Sequence, residues 1–147
     1  PGAGDRAPRL AAGAASYVAV DRSLPALLHT GARVPAARLV LADATALPLP
    51  DASVDLAVAA HVVDLLDAPY AFVEELARVL APEGELRLTT PDPALGTGDD
   101  GALAALVEAT ECFEAPALAE GILWPRVHGP RELQLAVTQR LVVRRRA

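Results

Sequence analysis

The sequence predicts an α/β fold: a doubly wound, mostly parallel sheet that takes on an antiparallel strand near its C-terminal end. Three patterns predict it. Two short apolar runs, residues 17–20 and 38–42, each end in a carboxylate, Asp21 and Asp43, with helical spacing between them. A further run, residues 54–60, is apolar on both faces, as in a parallel strand covered by helices on each side. Residues 131–144 alternate instead. Leu133, Leu135, Val137, Leu141 and Val143 share one parity against Gln134, Thr138, Arg140 and Arg144, the pattern of a half-buried antiparallel strand.

Taken in order, Gly2 and Gly4 open the chain. Glycines so spaced let a backbone turn sharply and approach a ligand closely. Pro8 suits the first turn of a helix, predicted over residues 9–15. Strand 17–20 then delivers Asp21. Glycine turn, helix, strand and carboxylate is the order of a nucleotide-binding half-unit, whose carboxylate accepts hydrogen bonds from ribose hydroxyls. Ser23 is a predicted N-cap, Leu24, Leu27 and Leu28 follow at helical spacing, and Gly31 is the expected stop, with His29 on the surface. Strand 38–42 ends at Asp43, just before a crossover, and the carboxyl ends of strands are where an open α/β sheet binds ligand.

His61 ends the strand over residues 54–60. It is either a contact to ligand or a histidine bonded to loop backbone, and as regards catalysis the second reading is preferred. Pro69 starts the clearest helix, with Phe72, Val73, Leu76, Val79 and Leu80 on one stripe and Glu74, Glu75 and Arg78 facing out. Pro82-Glu83-Gly84 turns the chain into a strand over residues 85–90. Residues 91–100 read as a loop in which Asp92 is solvated, and residues 101–112 as a helix with Leu103, Leu106 and Val107 inward. Residues 117–127 are open between strand and loop. Trp124 is read as packing, and the turn at residues 128–130 suggests a hairpin into the last strand.

A chain of 147 residues with 52% hydrophobic content is expected to form one compact domain over residues 1–147. All 13 basic residues are arginines, and outside residues 144–146 they build no basic face. That cluster reads as a solvated tail, so nucleic acid is not an expected partner. No apolar run approaches the ~20 residues of a membrane span, and no signal-peptide pattern is present. Cys112, the lone cysteine, cannot form an internal disulfide, which fits a cytoplasmic location. Three scattered histidines lack metal-ligand spacing, so no metal is expected.

Residues 39–56 read LVLADATALPLPDASVDL. Asp43-Ala44, Leu47-Pro48-Leu49 and Val54-Asp55 resemble the adenine-binding segment of the class I S-adenosylmethionine-dependent methyltransferases. The resemblance is to the branch typified by ubiquinone and menaquinone biosynthesis. The Leu80-Ala81-Pro82-Glu83-Gly84 turn resembles the family's Pro-Gly-Gly segment, with Glu83 where a glycine is usual. The resemblance implies a Rossmann-like fold and transfer of a methyl group from S-adenosylmethionine to a small-molecule acceptor. It further implies that Asp43 accepts from the adenine amino group, with the Ala44 amide nearby. Asp21 would hold the ribose, Gly2 and Gly4 would permit close approach, and His61 would lie near the methionine end. The activated sulfonium carries the chemistry, so no catalytic side chain is assigned.

Two departures accompany the resemblance. Arg6 stands where the family has a third glycine. The family's first strand, which lies between the strand ending at Asp21 and the one starting at Val54, has no counterpart, so the domain is expected to be incomplete at its N-terminus. A degenerate domain that binds a protein partner without chemistry is the alternative. A nicotinamide-dependent dehydrogenase would share the first half, but not the Leu-Pro loop and Val-Asp strand entry.

Overall fold

The computed structural model describes residues 3–90, 102–115, 117–129 and 132–147. Gly2, the Asp92 loop, the hairpin turn at residue 130 and the Trp124 side chain lie outside the described residues. The chain divides into two compact units, Pro1–Pro48 and Leu49–Ala147.

The first unit runs α1 (Ala3–Ala11), β1 (Val18–Asp21), α2 (Leu24–Arg33) and β2 (Arg38–Leu41). β1 and β2 pair in parallel, with Val18 opposite Arg38 and Asp21 opposite Leu41. Both helices differ from expectation, and α1 ends at Ala11, four residues before the expected end. Gly4 lies inside α1, not in a turn before it, and Pro8 sits within the helix. α2 passes through Gly31 and ends at Arg33, because Gly31 serves packing: a Cβ there would stand 2.8 Å from Leu39 Cδ1. The Ser23 hydroxyl accepts from the Ala26 N–H at 3.4 Å, the expected N-cap. Among the described residues of this unit, Ala7, Leu27 and Val34 are the buried apolar ones.

The second unit contains β3 (Val54–Ala60), a 3₁₀ turn (Val63–Leu65), α3 (Pro69–Val79), β4 (Leu80–Thr90), α4 (Ala102–Glu108), β5 (Ala117–Gly129) and β6 (Glu132–Arg144). Its sheet order is β3-β4-β6-β5. β3 and β4 are parallel, while β6 is antiparallel to both β4 and β5. The predicted alternation of β6 therefore marks the antiparallel strand, and the open segment before it is its hairpin partner. α4 stops at Glu108, four residues short of the expected end. Among the described residues, β1 pairs only with β2, and β3 only with β4.

The core of this unit forms where α3, α4 and one face of β4 and β6 meet. Phe72, Val73, Val79, Leu80, Leu86, Leu88, Leu103, Val107, Leu141 and Val143 are all buried. The other face of β3 is not covered as expected: Leu56 is 41% and Val58 39% exposed. Arg78 ties α3 to the loop before β3, donating to Glu75, to Asp51 and to the Leu49 carbonyl at 3.0 Å. The two carboxylates raise the guanidinium's pKa, Glu75 first, and keep it a fixed cation.

β4 begins directly after α3, and the Pro82-Glu83-Gly84 turn is built into it as an irregularity between the Val54–Leu80 and Leu56–Glu85 pairs. Glu83 has φ +65°, a left-handed conformation that a Cβ disfavours. Its side chain is exposed, so little contact would be lost on removal. Glu83→Gly is therefore expected to stabilise the fold by about 0.5–1 kcal/mol, after allowing for the freer unfolded chain. The urea midpoint should rise, and a lower midpoint would show that the Glu83 side chain contributes contacts outweighing the strain. Gly84 tolerates no such exchange: a Cβ would stand 2.7 Å from the Ala81 carbonyl oxygen.

Candidate nucleoside site

β1 and β2 run in the same direction, so both release their chains at one end of the pair. Asp21 is the last residue of β1, and Asp43 follows β2 by two residues. The Asp21 carbonyl accepts from Ala42 N–H at 3.2 Å, which fastens the two exits together. The carboxylates are thus delivered side by side, not to opposite edges.

Each carboxylate is fixed by its own loop. Asp21 Oδ1 accepts from the Ser23 N–H at 2.8 Å, while Oδ2 has no partner among the described residues. Asp43 Oδ1 accepts from both the Thr45 N–H (2.9 Å) and the Thr45 hydroxyl (2.7 Å). Asp43 Oδ2 faces the Arg22 guanidinium, whose Nη1 is 3.5 Å away. The Asp43 carbonyl also accepts from Ala46 N–H at 3.2 Å, closing a turn with Ala44 at its first central position. The Ala44 N–H is not consumed by that turn. One rim therefore offers a carboxylate oxygen at Asp21, another at Asp43, and a backbone donor at Ala44.

The Thr45 N–H, then its hydroxyl, and more weakly Arg22, hold the Asp43 carboxyl below its ordinary pKa. A lowered folded-state pKa means that Asp43 contributes stability above the unfolded value of about 3.9 and loses it as pH falls through the folded value. The urea midpoints of wild type and Asp43→Asn should accordingly converge as pH drops from about 6 to about 3. Midpoints that stay equally far apart would show that the Thr45 bonds are as strong to the neutral acid.

The second unit carries its own polar strand ends. His61 follows β3 with φ +57°, a region in which histidine is over-represented among non-glycine residues. Its N–H donates to the Thr89 carbonyl at 2.8 Å. Asp64 Oδ1 and Thr89 Oγ1 are buried without a hydrogen-bond partner among the described residues. Sequence reading singled out His61 but neither Asp64 nor Thr89. It likewise passed over Arg22 and Thr45, because nothing in the spacing reveals a bond spanning 21 residues or a carboxylate clamped by its own turn. His29 is exposed on α2, as expected.

The two carboxylates stand at the carboxyl ends of a parallel strand pair, where an open α/β sheet binds ligand. A family profile described as a methyltransferase domain matches residues 1–88. The chain belongs to that methyltransferase-domain family.

Among its relatives is a "Probable S-adenosylmethionine-dependent methyltransferase" of Mycobacterium tuberculosis, 40% identical over 91 residues, which are 62% of this chain and 33% of that protein. One of the same description from Mycolicibacterium smegmatis is 36% identical over 75 residues, covering 51% of this chain and 29% of the relative. The matched part of this chain thus spans about a third of those relatives' length.

Solved structures share the fold at lower identity. A SAM-dependent methyltransferase from Aquifex aeolicus superposes with TM-score 0.69 at 17% identity, covering 97% of this chain and 77% of that one. The cyclase SpnF superposes equally well, with TM-score 0.69 at 16% identity, covering 98% and 72%. These likenesses concern the fold alone, and a cyclase among them is a reminder that one fold hosts several chemistries. Among the described residues, no helix is long and apolar enough to cross a membrane.

Proposed function

We propose that the protein transfers the methyl group of S-adenosylmethionine to a small-molecule acceptor, and that Asp21, Asp43 and Ala44 hold the nucleoside end of that cofactor. The observation that carries this reading is the delivery of Asp21 and Asp43 to neighbouring exits of one parallel strand pair. The residues fit the group. Asp21 Oδ2 is free to accept from ribose hydroxyls, Asp43 Oδ2 retains a lone pair for an exocyclic amino group, and the Ala44 amide can donate to a ring nitrogen.

Gly4 in α1 and Gly2 before it would allow close backbone approach, and His61 would contact the cofactor. Both units are read as one methyltransferase domain, since the family match runs across their boundary at residue 48. When bound, the cofactor supplies a sulfonium-activated methyl group. An acceptor's nucleophilic atom would take that methyl in line, with S-adenosylhomocysteine leaving and the acceptor's proton passing to water. The protein's part is alignment and exclusion of competing water. A cytoplasmic setting agrees with the lone, half-buried Cys112.

Calorimetric titration of the full-length protein with S-adenosylmethionine tests the reading. Saturable one-site binding is expected. No detectable binding would favour the alternative, a domain that keeps the fold as an interaction module.

A further inference from the structure

We propose that the outer edge of β2 pairs with the same edge of a second copy of this chain, antiparallel about Val40, so that the sheet continues from one copy into the other. In a parallel pair, alternate residues of a strand turn their backbone groups towards the partner. Arg38 N–H donates to the Tyr17 carbonyl at 2.9 Å and Ala42 N–H to the Asp21 carbonyl at 3.2 Å, so the even positions of β2 serve the ladder with β1. Leu39 and Leu41 turn their N–H and C=O groups the other way, and among the described residues no strand pairs with that edge. Their side chains are open as well, Leu39 at 39% and Leu41 at 60% exposure. Neither proline nor a bulge, two of the devices that blunt an edge strand, interrupts β2.

The edge is complementary to itself. With Val40 on the two-fold axis, Leu39 of one copy lies opposite Leu41 of the other. Both already point their backbone groups outward, so each such pair exchanges both of its hydrogen bonds. The same register gathers Leu39 and Leu41 of both copies on one face. That face continues onto α2, where Gly31, against which Leu39 packs, shares a helix stripe with the exposed Leu24 and Leu28. Charge decides the sense of pairing. Arg38 opens β2 and Asp43 follows it by two residues, so antiparallel strands bring each cation towards the other copy's carboxylate. Parallel strands would set like charges side by side. The contact is small, so a dissociation constant on the order of 10 μM is expected.

Sedimentation velocity of the full chain from about 1 to about 100 μM reads the equilibrium. Wild type should pass from monomer to dimer across that range. Leu41→Lys, which puts a charge on the open edge at little cost to the fold, should stay monomeric. Leu65→Lys removes a leucine that is 73% exposed in the other unit, and should dimerise like wild type. The register has its own readout. Across the two-fold, the Val40 Cα atoms would stand about 4.5 Å apart, within reach of a disulfide. The Val40→Cys, Cys112→Ser double variant should therefore cross-link into a dimer under a mild oxidant, and Leu65→Cys, Cys112→Ser should not. Wild type that remains monomeric, a dimer that survives Leu41→Lys, or cross-linking no faster at position 40 than at position 65 would each overturn the inference. None of these outcomes bears on cofactor binding, which is measured separately.

Discussion

Asp21→Asn is expected to weaken S-adenosylhomocysteine binding by about thirty- to a hundredfold with little change in thermal stability. The carboxylate has one oxygen committed to the Ser23 N–H at 2.8 Å. Asparagine can keep that bond through its carbonyl, so the N-terminal turn of α2 should survive. What changes is the other atom. An acceptor carrying negative charge becomes a neutral amide N–H, and ribose hydroxyls lose charge-assisted bonds worth about 2–3 kcal/mol in total. That loss corresponds to the stated affinity change. Calorimetry paired with a melting curve measures both quantities. An affinity within about threefold of wild type would remove Asp21 from the cofactor site. Asp21→Ala is the contrasting variant: it also deletes the Ser23 bond, and its melting temperature should fall.

How much of this was legible in the sequence follows from the range of the forces involved. α3 and β6 are readable because burial on one face imposes a period, and Phe72, Val73, Leu76, Leu141 and Val143 keep it. The pair Asp21 and Asp43 was readable because a polar residue ending an apolar run is a local signal. Glycine proved ambiguous. Gly31 looks like a helix stop, yet it is there because Leu39 presses against it from β2, a long-range cause that the local sequence cannot display. The start of α1 is not legible, since Pro8 suits a first turn but stands in the interior of the helix. Arg22 was invisible as a site residue for the same reason as Gly31: its partner lies across the strand pair.

The largest effect on stability is expected at the β4–β6 seam. Leu88 and Leu141 are direct partners in the antiparallel register, and both are 0% exposed. Neighbouring Leu86 and Val143 are paired and buried likewise, so the walls of the site are held by backbone ladders and cannot easily close on a void. Leu88→Ala should therefore cost about 3–4 kcal/mol, near the upper part of the range for leucine truncations, because the cavity term adds to the lost transfer free energy. Leu141→Ala alone should cost a similar amount. The double variant should cost less than the sum, since the second truncation removes a contact already lost. Urea unfolding of the four proteins closes the cycle. A Leu88→Ala cost below about 1.5 kcal/mol would mean that the seam relaxes into the gap, and that β6 is less firmly registered on β4 than its pairing implies. Such a stability loss should leave S-adenosylhomocysteine affinity nearly unchanged in protein that remains folded. Asp21 and Asp43 are held by the β1–β2 pair and their own loops, not by this core.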